Sequence, residues 1–458
     1  MLLRHTPKEV VERYALTINP AKTCQPVGAM YAALGMNRCL PHSHGSQGCC
    51  SYHRSALTRH YAEPIMGSTS SFTEGASVFG GQANLLESIN NIFALYDPDI
   101  IAVNTTCLSE VIGDDLTQII NKAVAENKIP KGKTVMYAST PSFKGSHVTG
   151  YANMLTAIVQ SFAENTGRKN GKIALLPSFI EPSDMTEIKR IAAEMGVSYI
   201  MYPDTSGVVN APMDGKFHMY PNGGATREQI AESGDSGYAI GLGRAGTLNA
   251  VRLLDSKCKV RGSVIDLPIG ITATDDFIDT LRKIAGVTVP QSIMTERGQL
   301  VDILCDKNQY LYGKKVSMVG DPDILVGLTQ FCKDAGLQVL HVLTGTPAGT
   351  KFTDRIKEIA GDDVVAKAGA QADLFYFHQL MQNNKPDLIM GNTYCKYIAR
   401  DMDIPLIRIC FPIYDRIGHS YIPIIGYRGG LNLLVKMLDI FMDRQDRDAP
   451  EEKFELVM

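Results

Sequence analysis

The chain is predicted to be α/β, with three Rossmann-like domains of parallel sheets flanked by helices, and three observations predict it. The first is a series of short apolar runs, each closed by a turn rich in Gly, Pro, Asp or Ser. Runs this short, apolar on both faces, suit strands buried inside parallel sheets. The second is the amphipathic stretches between them, and strand–helix alternation at this spacing builds parallel sheets. The third is number: nine such runs are more than one open sheet comfortably holds, and 458 residues correspond to about three domains.

Taken in order, the predicted strands are Ile100–Val103, Thr134–Ala138, Lys172–Leu176, Tyr199–Met201, Tyr238–Leu242, Val316–Val319, Val339–Leu343, Leu388–Met390 and Leu406–Ile409. One helical stripe is formed by Tyr151, Met154, Leu155, Ile158, Val159 and Phe162. A second is formed by Val111, Ile112, Leu116, Ile119, Ile120 and Ala123, and a third by Leu431, Leu434, Val435, Met437, Leu438 and Phe441. The joints Thr166–Gly171 and Val289–Gln291 divide the chain. The expected organisation is an N-terminal arm (1–20), α/β domains at 21–170, 171–292 and 293–428, and a C-terminal helix and tail (429–458).

Composition narrows the function. Hydrophobic residues make up 45% and charged residues 20%, which excludes intrinsic disorder. A formal net charge of −3 gives no general attraction for phosphate backbones, so no nucleic-acid partner is expected. No run reaches the ~18 apolar residues of a membrane span, and the start carries no signal-peptide pattern. The expectation is therefore a cytoplasmic protein whose ten cysteines stay reduced. No strand-to-helix turn carries GxGxxG or GxxxxGK[ST], so nucleotide binding has no warrant.

Three cysteines sit where a metal ligand would. Cys24 precedes Gln25-Pro26-Val27-Gly28, Cys49 ends His44-Gly45-Ser46-Gln47-Gly48, and Cys107 ends a strand in Asn104-Thr105-Thr106. A thiolate at a helix start is stabilised by backbone N–H groups and the helix dipole, which lowers its pKa. Free cysteine is also among the most buried residue types, and Cys39, Cys50, Cys258, Cys305, Cys332, Cys395 and Cys410 read as core. There is no CxxC, so zinc ribbons are excluded. Spacing alone leaves ligation and plain burial open for Cys24, Cys49 and Cys107. Three is an awkward count for an ordinary iron–sulfur cluster, which takes four thiolates. It implies an open iron, an oxygen ligand or a contribution from a partner.

Four ordered motifs give a resemblance: Thr23–Ala29, His44–Cys49, Thr105–Asp115 and Thr140–His147. With Glu296–Gln299, Gly320–Asp323 and Phe411–Arg416, they resemble the β chain of the nitrogenase molybdenum–iron protein over nearly the whole length. The resemblance implies that Cys24, Cys49 and Cys107 are β-side ligands of an [8Fe-7S] P-cluster, and that the α chain supplies three more thiolates. Ser142 matches a serine that ligates one iron of the oxidised cluster; a deprotonated hydroxyl is a harder donor than thiolate. Read locally, Ser142 in Thr-Pro-Ser serves equally as a helix N-cap.

Further positions follow from the same resemblance. Tyr52 matches a tyrosine between the P-cluster and the iron–molybdenum cofactor of the α chain, with an electron-transfer role or simple packing open to it. Phe79 matches the β-side aromatic where the ATP-driven iron protein docks. Glu63, Asp302 and Asp306 match a mononuclear iron or calcium site between two β chains. Asp302 and Asp306 are i, i+4, so they share a helical face that suits a hard cation or simply water. Only 23 residues precede Cys24, which resembles the short-arm branch, and Ser46 leans toward the molybdenum type. The implied function is the β subunit of an α2β2 dinitrogenase that relays electrons for N2 reduction to ammonia and catalyses nothing alone. A scaffold for nitrogenase cofactor assembly and a dark-operative protochlorophyllide reductase-like subunit share the architecture. Neither is expected to keep the full ligand set.

Overall fold

A computed structural model describes residues 3–14 and 16–453. The ends of the expected arm and tail, 1–2 and 454–458, lie outside the described residues. Three separate sheets are present, every strand pairing is parallel, and each sheet draws its strands from one stretch of chain. The first contains β1 (Cys39–His44), β2 (Ser68–Thr69), β3 (Ile100–Thr105) and β4 (Thr134–Ala138), in the order β2-β1-β3-β4. The second contains β5 (Ile173–Pro177), β6 (Tyr199–Met201), β7 (Tyr238–Leu242) and β8 (Gly262–Ile265), in the order β6-β5-β7-β8. The third contains β9 (Lys315–Val319), β10 (Gln338–Thr344), β11 (Val365–Ala368), β12 (Leu388–Gly391) and β13 (Leu406–Arg408), in the order β11-β10-β9-β12-β13.

All nine expected strands are present within a residue or two, and four others are not in that set. β1 reads Cys-Leu-Pro-His-Ser-His, with no apolar run, yet every residue of it is buried. Its polar side chains bond Ser68 in β2, Ser70 just after it and Asn104 on β3, which replaces apolar burial as the reason to be a strand. β2 has two residues, and β8 and β11 are half-exposed edge strands too short to print a pattern.

The helices carry two corrections. The stripe Val111–Ala123 is two helices, Cys107–Ile112 and Leu116–Ala125. The chain turns left-handed at Gly113 (φ 84°), and Asp115 starts the second helix by accepting from the Gln118 N–H at 3.0 Å. In the C-terminal helix Gly426–Asp448, Leu434, Met437 and Leu438 are buried as expected but Val435 faces solvent. The helix His147–Phe162 buries every residue of its expected stripe. It packs against both Gln25–Leu34 and Arg244–Cys258, which joins the first two sheets.

The main apolar core is continuous through all three sheets and includes Ile100, Leu175 and Met318. The arm is stapled onto the third unit. Arg13 makes two hydrogen bonds to the Asp373 carboxylate, at 2.8 and 3.0 Å, and stacks on Phe375. Asp373 also accepts from Ile18 N–H at 2.6 Å and from Tyr376 N–H, so it caps the helix Leu374–Asn383 while it holds the arm. Among the described residues no helix is long and apolar enough to cross a membrane.

Candidate functional site

Each of the three cysteines stands at a helix start. Cys24 is the N-cap of Gln25–Leu34, with Pro26 fitting the donor-poor first turn. Cys49 lies in the first turn of Gln47–Tyr61, whose N-cap is Ser46, and Cys107 is the first residue of Cys107–Ile112. The Cys107 helix begins with a reciprocal capping pair in which Thr106 N–H donates to Ser109 Oγ at 3.0 Å. All three sulfur-bearing residues are half-buried, unlike the other cysteines. Cys39, Cys50, Cys258, Cys332, Cys395 and Cys410 are buried as expected. Cys305 is exposed, because it falls on the outer face of the helix Gln291–Asp306.

The fold brings the three together. Cys24 lies within electrostatic reach of both Cys49 and Cys107, and Ser142 lies close enough to Cys24 to favour its thiolate. Burial pushes the Cys24 thiol up; Ser142 opposes this, while the neighbouring sulfurs add to it. Burial, then Cys107, pushes Cys49 up as well. The sequence-based expectation of a lowered pKa is therefore reversed for these two. The helix-start effect is outweighed by desolvation and by like charges sharing one hollow.

Ser142 is held in place rather than capping a helix; the N-cap of His147–Phe162 is Ser146. The Gln25 side-chain amide donates to the Pro141 and Lys144 carbonyls, at 2.9 and 2.8 Å, and so clamps the turn that carries Ser142. This clamp needs the two helices to touch. A Cβ on Gly28 would lie 1.8 Å from the His147 carbonyl oxygen, and one on Gly150 would lie 1.9 Å from that of Gln25. His147 then ties the site to the third sheet. Its Nδ1 accepts from Thr23 N–H at 3.4 Å, so Nε2 carries the proton and donates to Asp321 at 2.7 Å. Asp321 accepts from Phe411 N–H at 2.9 Å, which links two of the distant motifs to the residue before Cys24. Gln25 and His147 were not singled out from sequence; the position of Gln25 directly after Cys24 was the available signal.

The remaining expected positions are placed as follows. Tyr52 is half-exposed one turn beyond Cys49, and its hydroxyl lies 3.4 Å from Thr23 Oγ1. Phe79 ends the helix Glu74–Phe79 and is 90% exposed, beside exposed Val78. Asp302 and Asp306 share the outer face of Gln291–Asp306, and Glu63 follows the end of Gln47–Tyr61. The chain does not bring Glu63 together with them within the span of one ion.

Among the described residues, the one trio of His, Cys, Asp or Glu donors within 4.8 Å of each other is His60, Glu181 and His419. It is not built for a metal. His60 Nδ1 accepts from Ile413 N–H at 2.8 Å, so Nε2 is protonated and donates to Glu181 at 2.8 Å, with no lone pair left for an ion. The three thiols, by contrast, lie too far apart for one ion to reach all of them within that span. They are half-buried, near enough to repel one another when ionised, and have the Ser142 hydroxyl beside Cys24, a donor set that fits a metal–sulfur body larger than one ion.

Fold and site together define a three-sheet α/β protein that gathers three half-buried cysteines, each at a helix start, in its first unit. Residues 24–442 match the family described as "Nitrogenase component 1 type Oxidoreductase", and the chain belongs to that family. It is 51% identical to the nitrogenase molybdenum-iron protein beta chain of Clostridium pasteurianum, with all of both chains covered. It is 37% identical to that of Azotobacter vinelandii, covering 96% of this chain and 86% of the relative. The structure of nitrogenase Cp1 at pH 6.5 contains a chain that matches with a TM-score of 0.97 and 51% identity over the whole of both chains. A chain of nitrogenase Cp1 at pH 5 matches with a TM-score of 0.70 and 17% identity, covering 96% and 92%, and shows the shared fold.

Proposed function

We propose that this chain is the β subunit of a dinitrogenase and holds half of an [8Fe-7S] P-cluster through Cys24, Cys49 and Cys107, with Ser142 as a further iron ligand. The observation that carries the reading is the gathering of Cys24, Cys49 and Cys107 at half-buried helix starts within electrostatic reach of Cys24, with Ser142 beside it. In this role the subunit accepts electrons from the ATP-driven iron protein and relays them toward the iron–molybdenum cofactor of the α chain in an α2β2 assembly. When bound, the cluster supplies reversible storage of electrons at a potential set by its ligands and burial.

The protein's own residues do the rest. The helix starts fix three sulfurs before any metal arrives, so little ordering remains at assembly. Gln25 keeps the Ser142 hydroxyl against Cys24, ready to replace or join a thiolate as charge changes. Tyr52, whose hydroxyl lies beside Thr23, stands on the electron path between the cluster and the cofactor of the α chain. Phe79 offers an exposed apolar contact for the iron protein. Glu63, Asp302 and Asp306 supply hard oxygens to a mononuclear iron or calcium between two β chains, a site completed by the second copy. On this reading 21–170 is the cluster-binding domain, and 171–292 and 293–428 are its supports. The assembly works in the cytoplasm.

The test is metal content per α–β pair in complex purified without oxygen from nitrogen-starved cells. Abundant iron with near-stoichiometric molybdenum is expected. Iron without a heterometal, together with no N2 reduction, would replace this reading with the assembly scaffold.

A further inference from the structure

His44 is buried completely and belongs to a hydrogen-bonded chain that the electron-relay reading does not use. Asp114 can only accept, so His44 Nε2–H donates to its Oδ2 at 3.1 Å, and His44 Nδ1 accepts from the Ser70 hydroxyl at 2.9 Å. Ser70, having donated, accepts from His42 Nε2–H at 2.8 Å, and His42 Nδ1 accepts from Ser68 at 2.9 Å. Every proton in the chain has one assignment, which makes the unit stiff.

The chain touches two functional surfaces. On its outer side, both Asp114 oxygens accept from Gly81 N–H at 3.0 and 3.1 Å, two residues after exposed Phe79. Phe72 packs edge-on against His44 at 4.9 Å, and a Cβ on Gly81 would lie 2.0 Å from the Phe72 ring, so loop, ring and imidazole are in direct succession. On its inner side, the His44 carbonyl accepts from Thr106 N–H at 3.1 Å and from Ser109 Oγ at 2.8 Å, the cap that starts the Cys107 helix. Two residues onward, Ser46 caps the helix that carries Cys49.

We propose that His44, oriented by Asp114 and Phe72, is a positioning residue that transmits contact at the Phe79–Gly81 face to the Cys49 and Cys107 anchors, and so times electron transfer to docking. The inference rests on the reading of that face as the iron-protein contact and of those cysteines as cluster ligands. One buried imidazole contacts the docking loop through its ring and a ligand helix through its carbonyl. A displacement of Gly81 therefore reaches the Cys107 helix through the buried groups His44, Thr106 and Ser109, and the Cys49 helix through the short backbone link Gly45–Ser46.

The test compares Asp114→Asn with wild type in the intact complex. Resting complex should keep its iron content and the cluster's midpoint potential, and the iron-protein concentration for half-maximal activity should stay within about twofold. The first electron transfer after mixing with iron protein and ATP should slow about tenfold, and Phe72→Leu should slow it about threefold, as for mutations along a coupled element. Phe72→Leu decides the matter if Asp114→Asn fails to assemble. Unchanged transfer rates in variants with normal iron overturn the inference and leave the electron-relay reading standing, as does a shifted resting potential that accounts for the slowing. A wild-type complex without cluster iron overturns both.

Discussion

The first and third sheets use the same parallel architecture for opposite ends. In the third, β9, β10 and β12 bury Val316, Met318, Leu343 and Ile389; of the buried polar side chains, Ser317 and His341 pair with each other and Thr344 accepts from Thr346 N–H. In the first, β1 and β3 bury His42, Ser43, His44, Asn104 and Thr105 beside the cysteines. Polar groups in a core contribute little net stability but enforce one arrangement when every partner is met. The first sheet gives up apolar burial for fixed positions, and the third supplies the burial against which those positions are held. The proposed ligands sit beside the less apolar of two like sheets.

Mutations can break that division, beginning with the proposed ligands. Cys107→Ala should abolish cluster assembly and N2 reduction, seen as lost iron in anaerobically purified complex, while the thermal midpoint of the protein fold moves little. Full activity in this variant would end the assignment. Phe331→Ala, in the fully buried support of the third unit, should do the reverse. It should cost about 3–5 kcal/mol in denaturant titration yet leave the iron content of surviving molecules normal. Gly28→Ala joins the two effects, because its Cβ would meet the His147 carbonyl and open the Gln25 clamp. A several-fold loss of cluster content should accompany a drop of about 1–3 kcal/mol from overpacking.

The smallest effect concerns pH and a region remote from the cysteines. Burial pushes Asp184 up to about 7, although the Ile424 and Ile425 N–H groups pull the other way. The folded state therefore holds a proton that the unfolded chain has released, and stability falls as pH rises from about 4 to 7. Asp184→Asn should flatten that fall, being more stable than wild type at pH 8 and near parity at pH 4. Parallel stability profiles in the two proteins would show that Asp184 titrates normally.

The sequence made the third unit legible and the first only partly so. Val316–Val319 and Leu388–Met390 announce themselves because a buried parallel strand without functional duties is a plain apolar run. β1 could not be read this way, since its reason for being a strand is a set of side-chain hydrogen bonds with residues some 26 and 61 positions away. The break at Gly113 was available in Gly113-Asp114-Asp115, a C-terminal glycine followed by a capping aspartate, but the apolar stripe concealed it. Cys24, Cys49, Cys107 and Ser142 were identified by motif, yet their proximity, the raised thiol pKa values of Cys24 and Cys49, and the Gln25 clamp depend on packing between helices. No local pattern encodes that packing.

The stapled arm has a consequence for how the chain is made. Cys24 leaves the ribosome early, whereas Asp373, which anchors the segment leading to it, is about 350 residues later. At ~5–20 residues per second the delay is roughly 20–70 s. For that interval the arm lacks its anchor, although Cys24 itself can already be held by the packing of Gln25–Leu34 on His147–Phe162, so the clamp on the arm closes only in the completed polypeptide.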